Sequence, residues 1–166
     1  MNVGYHSGPA GDEQARMAIV EEGAGLFRSA GIDSQAMANL QQARWQKLVW
    51  NIPYNGLSVL LGAGTTALMA DADSRELIKA LMAEVVLGAK ACGHDMPAGY
   101  ADYLFMMTEK MPDYWPSMHH DFLHKRPLEL AAIYARPLAV AKAAGCELPR
   151  IDALYRSLSF IDRRNT

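Results

Sequence analysis

Hydrophobic residues recur with the period of an α-helix along most of the chain. Over residues 38–52 the apolar positions follow the i, i+3, i+4, i+7 spacing and predict a helix whose buried stripe consists of Trp45, Leu48, Val49 and Ile52. Pro53 has no backbone N–H, so we expect it to kink or break this helix. Gly62 and Gly64 then predict a broken helix as far as Ala70.

Capping residues, prolines and glycines mark the limits of the other predicted helices. Asp12 is a favourable N-cap and Gly31 a favourable helix end, which predicts a helix over 12–30. By the same kinds of signal, further helices are predicted over 73–92, 97–110, 117–125, 127–144 and 149–164. Met1 to Tyr5 is predicted to be a lone strand, and strand signals are nearly absent after residue 9. The predicted fold class is therefore all-α, a multi-helix domain of seven or eight helices with one short N-terminal strand.

The composition is that of a globular protein with room for one domain and its core. The chain has 166 residues, of which 51% are hydrophobic and 20% charged. Its formal charge of −2 and the absence of basic runs give no reason to expect a nucleic-acid partner. The longest apolar stretch, Leu57 to Ala70, is too short and too rich in glycine to span a membrane. Cys92 and Cys146 lie far apart, and no secretory signal is visible, so we expect a reduced, cytoplasmic protein.

A lysine and two asparagines recur at helical spacing within the first long helix. Lys47, Asn51 and Asn55 stand at i, i+4 and i+8, so they form a row of about 12 Å along one side. A cation with two amides suits an anionic substrate. The row lies opposite the apolar stripe, however, and the spacing alone favours a solvent-exposed face. Trp50 and Tyr54 share the side of the row and favour a covered cleft instead.

Two further polar residues have ordinary structural interpretations. Ser117 follows Pro116 and precedes a short helix, where its hydroxyl is a typical N-cap. Pro127 suits the first position of a helix, so Glu129 would lie in the first turn and complement the helix dipole.

A histidine-rich segment has spacing that can hold a metal. It contains His119, His120, Asp121 and His124, with His120 and His124 at i, i+4. No HExxH pattern is present and no third ligand follows from the spacing. A partly exposed polar helix face is therefore the favoured interpretation, and no metal site is predicted.

Several segments occur in an order that is found in one known family. They are Trp45-x-Lys47-Leu48-x-x-Asn51-x-x-x-Asn55, Met82-x-Glu84, Ala89 to Gly93, Ser117-Met118-x-x-Asp121, Arg126-x-x-Glu129, and Gly145-x-x-x-Pro149 followed by Leu154-Tyr155. In this order, from Gly31-Ile32 to Leu158, the chain resembles the C-terminal helical domain of the ketopantoate reductase (2-dehydropantoate 2-reductase) family. The same all-α architecture is expected in dehydrogenases similar to 6-phosphogluconate dehydrogenase.

This resemblance implies an oxidoreductase that uses NADPH to reduce a 2-oxo acid, ketopantoate to pantoate, in pantothenate biosynthesis. It implies that Lys47 is the general acid and that Glu129 lies near the lysine and the substrate hydroxyl. By the same resemblance, Asn51, Asn55 and Ser117 bind or orient the substrate. Three positions depart from the family pattern. Thr65 and Tyr114 replace family asparagines, and Ala131 replaces an acidic residue.

The resemblance also implies a partner domain for the cofactor. NADPH would be bound by an N-terminal Rossmann domain, but no G-x-G-x-x-G follows a strand here. This chain alone is therefore not expected to bind NADPH or to turn over substrate. We interpret residues 1–30 as a strand and helix left from, or connecting to, that Rossmann domain, and residues 31–166 as the helical substrate-binding and catalytic domain.

Two alternatives to this interpretation stay open. The chain could be a non-catalytic helical module for dimerisation or binding, which the missing Rossmann domain and the three departures favour. It could also belong to a related dehydrogenase that acts on another 2-oxo or hydroxy acid. Apolar helix faces left without the nucleotide-binding half are consistent with a homodimer.

Overall fold

The computed structural model describes residues 1–165, which divide into two compact units. The first unit is Met1–Arg44, and the second begins at Trp45. The first unit consists of strand β1 (Asn2–Gly4), helix α1 (Glu13–Ser29) and strand β2 (Gln35–Met37). The two strands pair in parallel, and α1, which connects them, packs against both. This arrangement is a small β-α-β unit.

The predicted N-terminal strand is confirmed, but the expectation that it stands alone is wrong. Each strand has three residues, which is too few to show the alternation of polar and apolar positions by which strands are recognised. The segment of β2 is extended because it pairs with residues 33 positions earlier in the chain. The helix after β1 agrees with its predicted cap, since the Asp12 Oδ1 accepts a hydrogen bond from the Ala15 N–H at 2.7 Å.

The regular secondary structure of residues 45–165 is exclusively helical, which confirms the all-α fold class. Helix α2 (Leu40–Leu61) begins at the end of the first unit and has most of its length in the second. It is followed by α3 (Thr65–Ala70), α4 (Ala72–Ala91), α5 (Tyr100–Lys110), α6 (Ser117–Leu123), a π-helical segment (Ala131–Ala135), α7 (Arg136–Ala143) and α8 (Pro149–Asn165). Within residues 1–165, no helix combines the length and the hydropathy needed to cross a lipid bilayer.

Helix α4 is the centre of this unit, because it packs against α3, α5, α7 and α8. The core around it includes the fully buried side chains of Val49, Ile52, Leu57, Ile78, Val85, Ile151 and Leu158. Gly88 allows close packing here, since a Cβ at this position would lie 3.0 Å from Leu148 and 3.3 Å from Trp45. Both α2, through Trp45, and the segment that leads into α8, through Leu148, therefore pack against α4.

The expected interruption at Pro53 is wrong, because α2 continues through it to Leu61. The residues from Ile52 to Val59 are all buried, so tertiary packing stabilises the helix despite the missing donor. In addition, the Tyr134 hydroxyl donates to the Ile52 carbonyl at 2.8 Å, beside the proline. Burial of this helix outweighs the loss of one backbone hydrogen bond.

The expectation that Pro127 begins a helix is also wrong. Residues 126–129 are non-helical, and the following helical segment begins at Leu130. Leu128 and Leu130 are buried whereas Glu129 between them is exposed, as in an extended chain. The Leu128 N–H donates to the Asp162 Oδ1 of α8 at 2.9 Å, which holds this extended segment against α8. Glu129 precedes the helix instead of lying in its first turn.

Two other helix starts differ from the prediction by one to three residues. Helix α4 begins at Ala72 because Asp71 is its cap, with the Asp71 Oδ1 accepting from the Ser74 N–H at 2.7 Å. Helix α5 begins at Tyr100, after a turn from Pro97 in which Gly99 has a φ of 72°.

Candidate functional site

The predicted row of Lys47, Asn51 and Asn55 lies on one unbroken helix. Since α2 is continuous from Leu40 to Leu61, the three side chains follow one another at successive turns. Exposure falls along the row: Lys47 is exposed, Asn51 is partly buried and Asn55 is only 3% exposed. The solvent-face interpretation is therefore wrong for the Asn55 end, and the row leads from the surface into the protein.

Asn55 brings the row into contact with the start of α6. Its Oδ1 accepts a hydrogen bond from the Met118 N–H at 3.3 Å, across 63 residues of chain. Ser117 is the adjacent residue and is exposed. The N-cap of α6 is Pro116, whose own side chain makes no capping hydrogen bond, so the N-cap interpretation of Ser117 is wrong. The fold thus places Ser117 one residue from the contact with Asn55.

An aromatic cluster covers the side of α2 that carries the row. The Trp50 and Tyr54 rings stack at a centroid distance of 4.8 Å, and the Tyr114 ring lies 5.9 Å from that of Trp50. The Trp50 Nε1–H donates to the Thr108 Oγ1 of α5 at 2.9 Å, which fixes the indole. Burial raises the pKa of the Tyr54 phenol, which donates to the Met69 Sδ. These rings lie on the same side of α2 as the row, and a covered cleft there stays a prediction.

Two of the three departures from the family pattern are in contact with each other. The Thr65 N–H donates to the Tyr114 carbonyl at 3.0 Å, and the Tyr114 N–H donates to the Thr65 Oγ1 at 2.9 Å. Next to them, the Asp113 Oδ1 accepts from the Thr66 N–H at 2.9 Å, and this hydrogen bond lowers the pKa of the Asp113 carboxyl. The loop before Ser117 is therefore held on the N-terminus of α3. The sequence offered no signal for this contact, since its partners are 49 residues apart.

Glu129 is exposed and lies just before the π-helical segment. Among residues 1–165, neither Glu129 nor Lys47 belongs to an ion pair, so the structure does not bring the two charges into direct contact. The structure does connect the segment that contains Glu129 to the helix that carries Lys47. Tyr134 lies five residues after Glu129, and its hydroxyl donates to the Ile52 carbonyl of α2. Tyr134 is fully buried, and this burial raises the pKa of its phenol.

The histidine segment has a structural explanation for one of its members. His119 is 5% exposed, its Nδ1 lies 3.0 Å from the Ser58 carbonyl of α2, and its ring packs on Trp115 at 4.4 Å. The expected exposed face is therefore wrong for His119, whereas His120 and His124 are exposed. In the described part of the chain, no three His, Cys, Asp or Glu residues are grouped to hold a metal ion.

The multi-helix fold defines the class of this chain, an all-α domain. Residues 39–162 match the family described as "Ketopantoate reductase PanE/ApbA C terminal". The chain belongs to this family.

Individual relatives agree with this assignment. The chain is 47% identical to a 2-dehydropantoate 2-reductase of Nostoc sp. over 139 residues, which cover 84% of this chain and 44% of that protein. It superposes on the crystal structure of 2-dehydropantoate 2-reductase from Geobacter metallireducens with a TM-score of 0.81 and 40% identity, over 90% of this chain and 49% of that one. A dimeric ketopantoate reductase from Staphylococcus aureus gives a TM-score of 0.79 at 28% identity, over 89% and 52% of the two chains. The chain therefore spans about half the length of these relatives.

Proposed function

We propose that this chain is the substrate-binding and catalytic half of an NADPH-dependent 2-oxo acid reductase, with 2-dehydropantoate as its substrate and pantoate as its product. The observation that carries the proposal is the row on α2, which runs from the exposed Lys47 to the buried Asn55 and meets α6 beside Ser117. The names of the relatives support the choice of substrate.

In this proposal Lys47 is the general acid. When hydride adds to the ketone carbon, negative charge develops on the ketone oxygen. An ammonium group close to that oxygen stabilises the charge and then donates the proton. Lys47 belongs to no ion pair within residues 1–165, so no carboxylate of the described chain neutralises it before substrate binds. The exposed position lets its side chain reach a ligand that lies over α2.

The two asparagines and Ser117 orient the substrate in this proposal. Because the Asn55 Oδ1 already accepts from Met118, the group that Asn55 offers a ligand is its amide N–H. Amide and hydroxyl donors suit the carboxylate oxygens of a 2-oxo acid. Glu129 can only accept when ionised, so its partner would be a hydroxyl group of the substrate.

Hydride is supplied by NADPH on an N-terminal Rossmann domain, which we propose as the partner of this chain. Residues 1–165 contain no strand followed by a G-x-G-x-x-G motif, the sequence by which such a domain holds the dinucleotide. The parallel β-α-β unit of Met1–Arg44 is the kind of element from which such a domain is built.

The division of the chain into domains between residues 30 and 31 stays a prediction, as does the cytoplasmic location. A homodimer is supported by the dimeric relative from S. aureus.

The test is NADPH oxidation by the full-length protein with 2-dehydropantoate. We expect Lys47→Ala to lower kcat/KM by about 10²–10³-fold, because it removes both the charge and the proton. Lys90→Ala, an exposed lysine in the last turn of α4, is the matched control and should keep the wild-type rate. An intact rate in Lys47→Ala would show that the general acid is another group. No oxidation at all by the wild-type protein would favour the non-catalytic module.

A further inference from the structure

The cluster of Trp50, Tyr54 and Tyr114, here called the aromatic wall, presents rings beside the row. Tyr54 is completely buried, Trp50 is partly buried and Tyr114 is 44% exposed. The accessible part of the wall is therefore made by the rings of Tyr114 and Trp50. A half-exposed tyrosine that rests on a tryptophan is an apolar surface at which a small ligand can bind.

The polar atoms of these residues are largely engaged elsewhere. The Trp50 indole N–H is donated to Thr108, whose hydroxyl in turn donates to the Leu104 carbonyl at 2.8 Å. The N–H and the carbonyl of Tyr114 are both bonded to Thr65. The backbone of Tyr114 is thus fixed without any help from its side chain. What Trp50 and Tyr114 offer a ligand at the wall is mainly ring carbon.

The wall and the row share one side of α2. Trp50 lies three residues after Lys47 and directly before Asn51, and residues three apart on a helix are neighbours on its surface. The charged and amide groups suit the carboxylate and ketone of a 2-oxo acid. The rings suit a hydrocarbon group attached to the ketone. The row and the aromatic wall together suit a 2-oxo acid, with the row at its carboxylate and ketone and the wall at its hydrocarbon group.

Building on the reductase function above, we propose that Trp50 and Tyr114 determine specificity by contacting the substituent on the ketone of the 2-oxo acid. The preferred substrates then carry a branched or aromatic apolar group at that position. Pyruvate has only a methyl group at that position and therefore offers the rings the least apolar surface.

The experiment compares substrates that share the same reacting groups. Full-length protein with NADPH is assayed with 2-dehydropantoate, 3-methyl-2-oxobutanoate, phenylpyruvate and pyruvate. We expect kcat/KM for the three larger substrates to exceed that for pyruvate by at least about tenfold. Tyr114→Ala should remove most of this preference by lowering kcat/KM for the three larger substrates more than for pyruvate, since it removes the ring and keeps the backbone bonds to Thr65.

Two variants control the interpretation. Tyr114→Phe keeps the ring and should keep the preference. Tyr103→Ala removes another exposed tyrosine, on α5, and should leave all four rates unchanged. Equal loss for pyruvate and the larger substrates in Tyr114→Ala, or no preference in the wild-type protein, would overturn the specificity role. If no 2-oxo acid supports NADPH oxidation, the reductase function itself fails, and the specificity role fails with it.

Discussion

At the scale of single residues, Gly56 and Tyr134 are fitted to each other. Tyr134 reaches the Ile52 carbonyl by passing close to Gly56, where a Cβ would lie 2.6 Å from the Tyr134 hydroxyl oxygen and 2.7 Å from the Leu154 Cδ2. Any larger residue at position 56 would displace the tyrosine from α2. The absence of a side chain at Gly56 thus allows the hydrogen bond from the Tyr134 hydroxyl to the Ile52 carbonyl.

We expect Gly56→Ala to lower the free energy of unfolding by about 2 kcal/mol, because the added methyl group overpacks a fully buried contact. Urea denaturation measures this. The loss of stability caused by Gly56→Ala should be smaller in a Tyr134→Phe background, because that variant lacks the hydroxyl that the added methyl group would contact.

Gly25→Ala is the matched control, since Gly25 is also helical but a Cβ there would meet only the Arg28 guanidinium at 3.8 Å. There the substitution should stabilise the protein by about 0.5–1 kcal/mol, as expected for glycine in a helix interior. A stable Gly56→Ala variant would mean that Tyr134 can bind α2 in another way.

At the scale of elements, α3 is capped from outside. Its N-cap residue, Gly64, has no side chain, and the carboxylate of Asp113 bonds to the Thr66 N–H in its place. A Cβ at Gly64 would lie 2.6 Å from that carboxylate, so the glycine makes room for it. An acidic group at a helix N-terminus also complements the helix dipole.

This cap predicts an acid-dependent contribution to stability. The hydrogen bond lowers the pKa of Asp113 from its ordinary value of 3.8, so the folded protein binds the proton less readily than the unfolded chain. The contribution is complete above pH 3.8 and is lost as the pH falls through the lower pKa of the folded state. We therefore expect Asp113→Asn to be less stable than wild type at neutral pH, with the difference vanishing in acid.

Thermal unfolding across this pH range measures the effect, with Glu147→Gln as the control. The Glu147 carboxylate has a loose, exposed pairing with Lys142 at 3.6 Å. If the difference for Asp113→Asn were the same at every pH, its cause would be packing and not charge.

The elements also show which part of the structure the sequence can predict. Helices with local caps were predicted closely, because a residue such as Asp12 and a glycine such as Gly31 act on their own neighbours. Pro53 and Pro127 were misread because the local sequence does not show the burial of α2 or the contact of Leu128 with the distant Asp162. The row on α2 followed from helical spacing alone. The contacts of Asn55 with Met118 and of Thr65 with Tyr114 needed the fold.

At the scale of the whole molecule, α4 holds the last helix in place through one buried carboxylate. Glu84 is 4% exposed and accepts from the Arg150 and Ile151 N–H groups at 3.0–3.1 Å, at the start of α8. The Arg150 guanidinium adds a partly exposed ion pair. Glu84 thus serves as the cap of a helix that is 66 residues away in the chain.

Glu84→Ala would leave the two backbone N–H groups without a partner, so we expect it to lower the free energy of unfolding by about 3 kcal/mol. Glu84→Gln, which keeps an acceptor oxygen, should cost less. Glu76→Ala on the same helix breaks only the exposed pair with Lys79 and should cost under about 0.5 kcal/mol. Urea denaturation of the three variants ranks them, and equal costs for Glu84→Ala and Glu76→Ala would contradict the capping role.

The small parallel sheet of the first unit has a consequence for the timescale of local opening. A pair of three-residue strands is below the size at which a sheet is stable by itself, and the buried residues of α1 are Val20 and Ala24. Segments with few buried contacts open independently and often, whereas a core helix such as α4 opens only when the whole unit unfolds. Amide protons in β1 and β2 should therefore exchange with solvent orders of magnitude faster than those at the centre of α4.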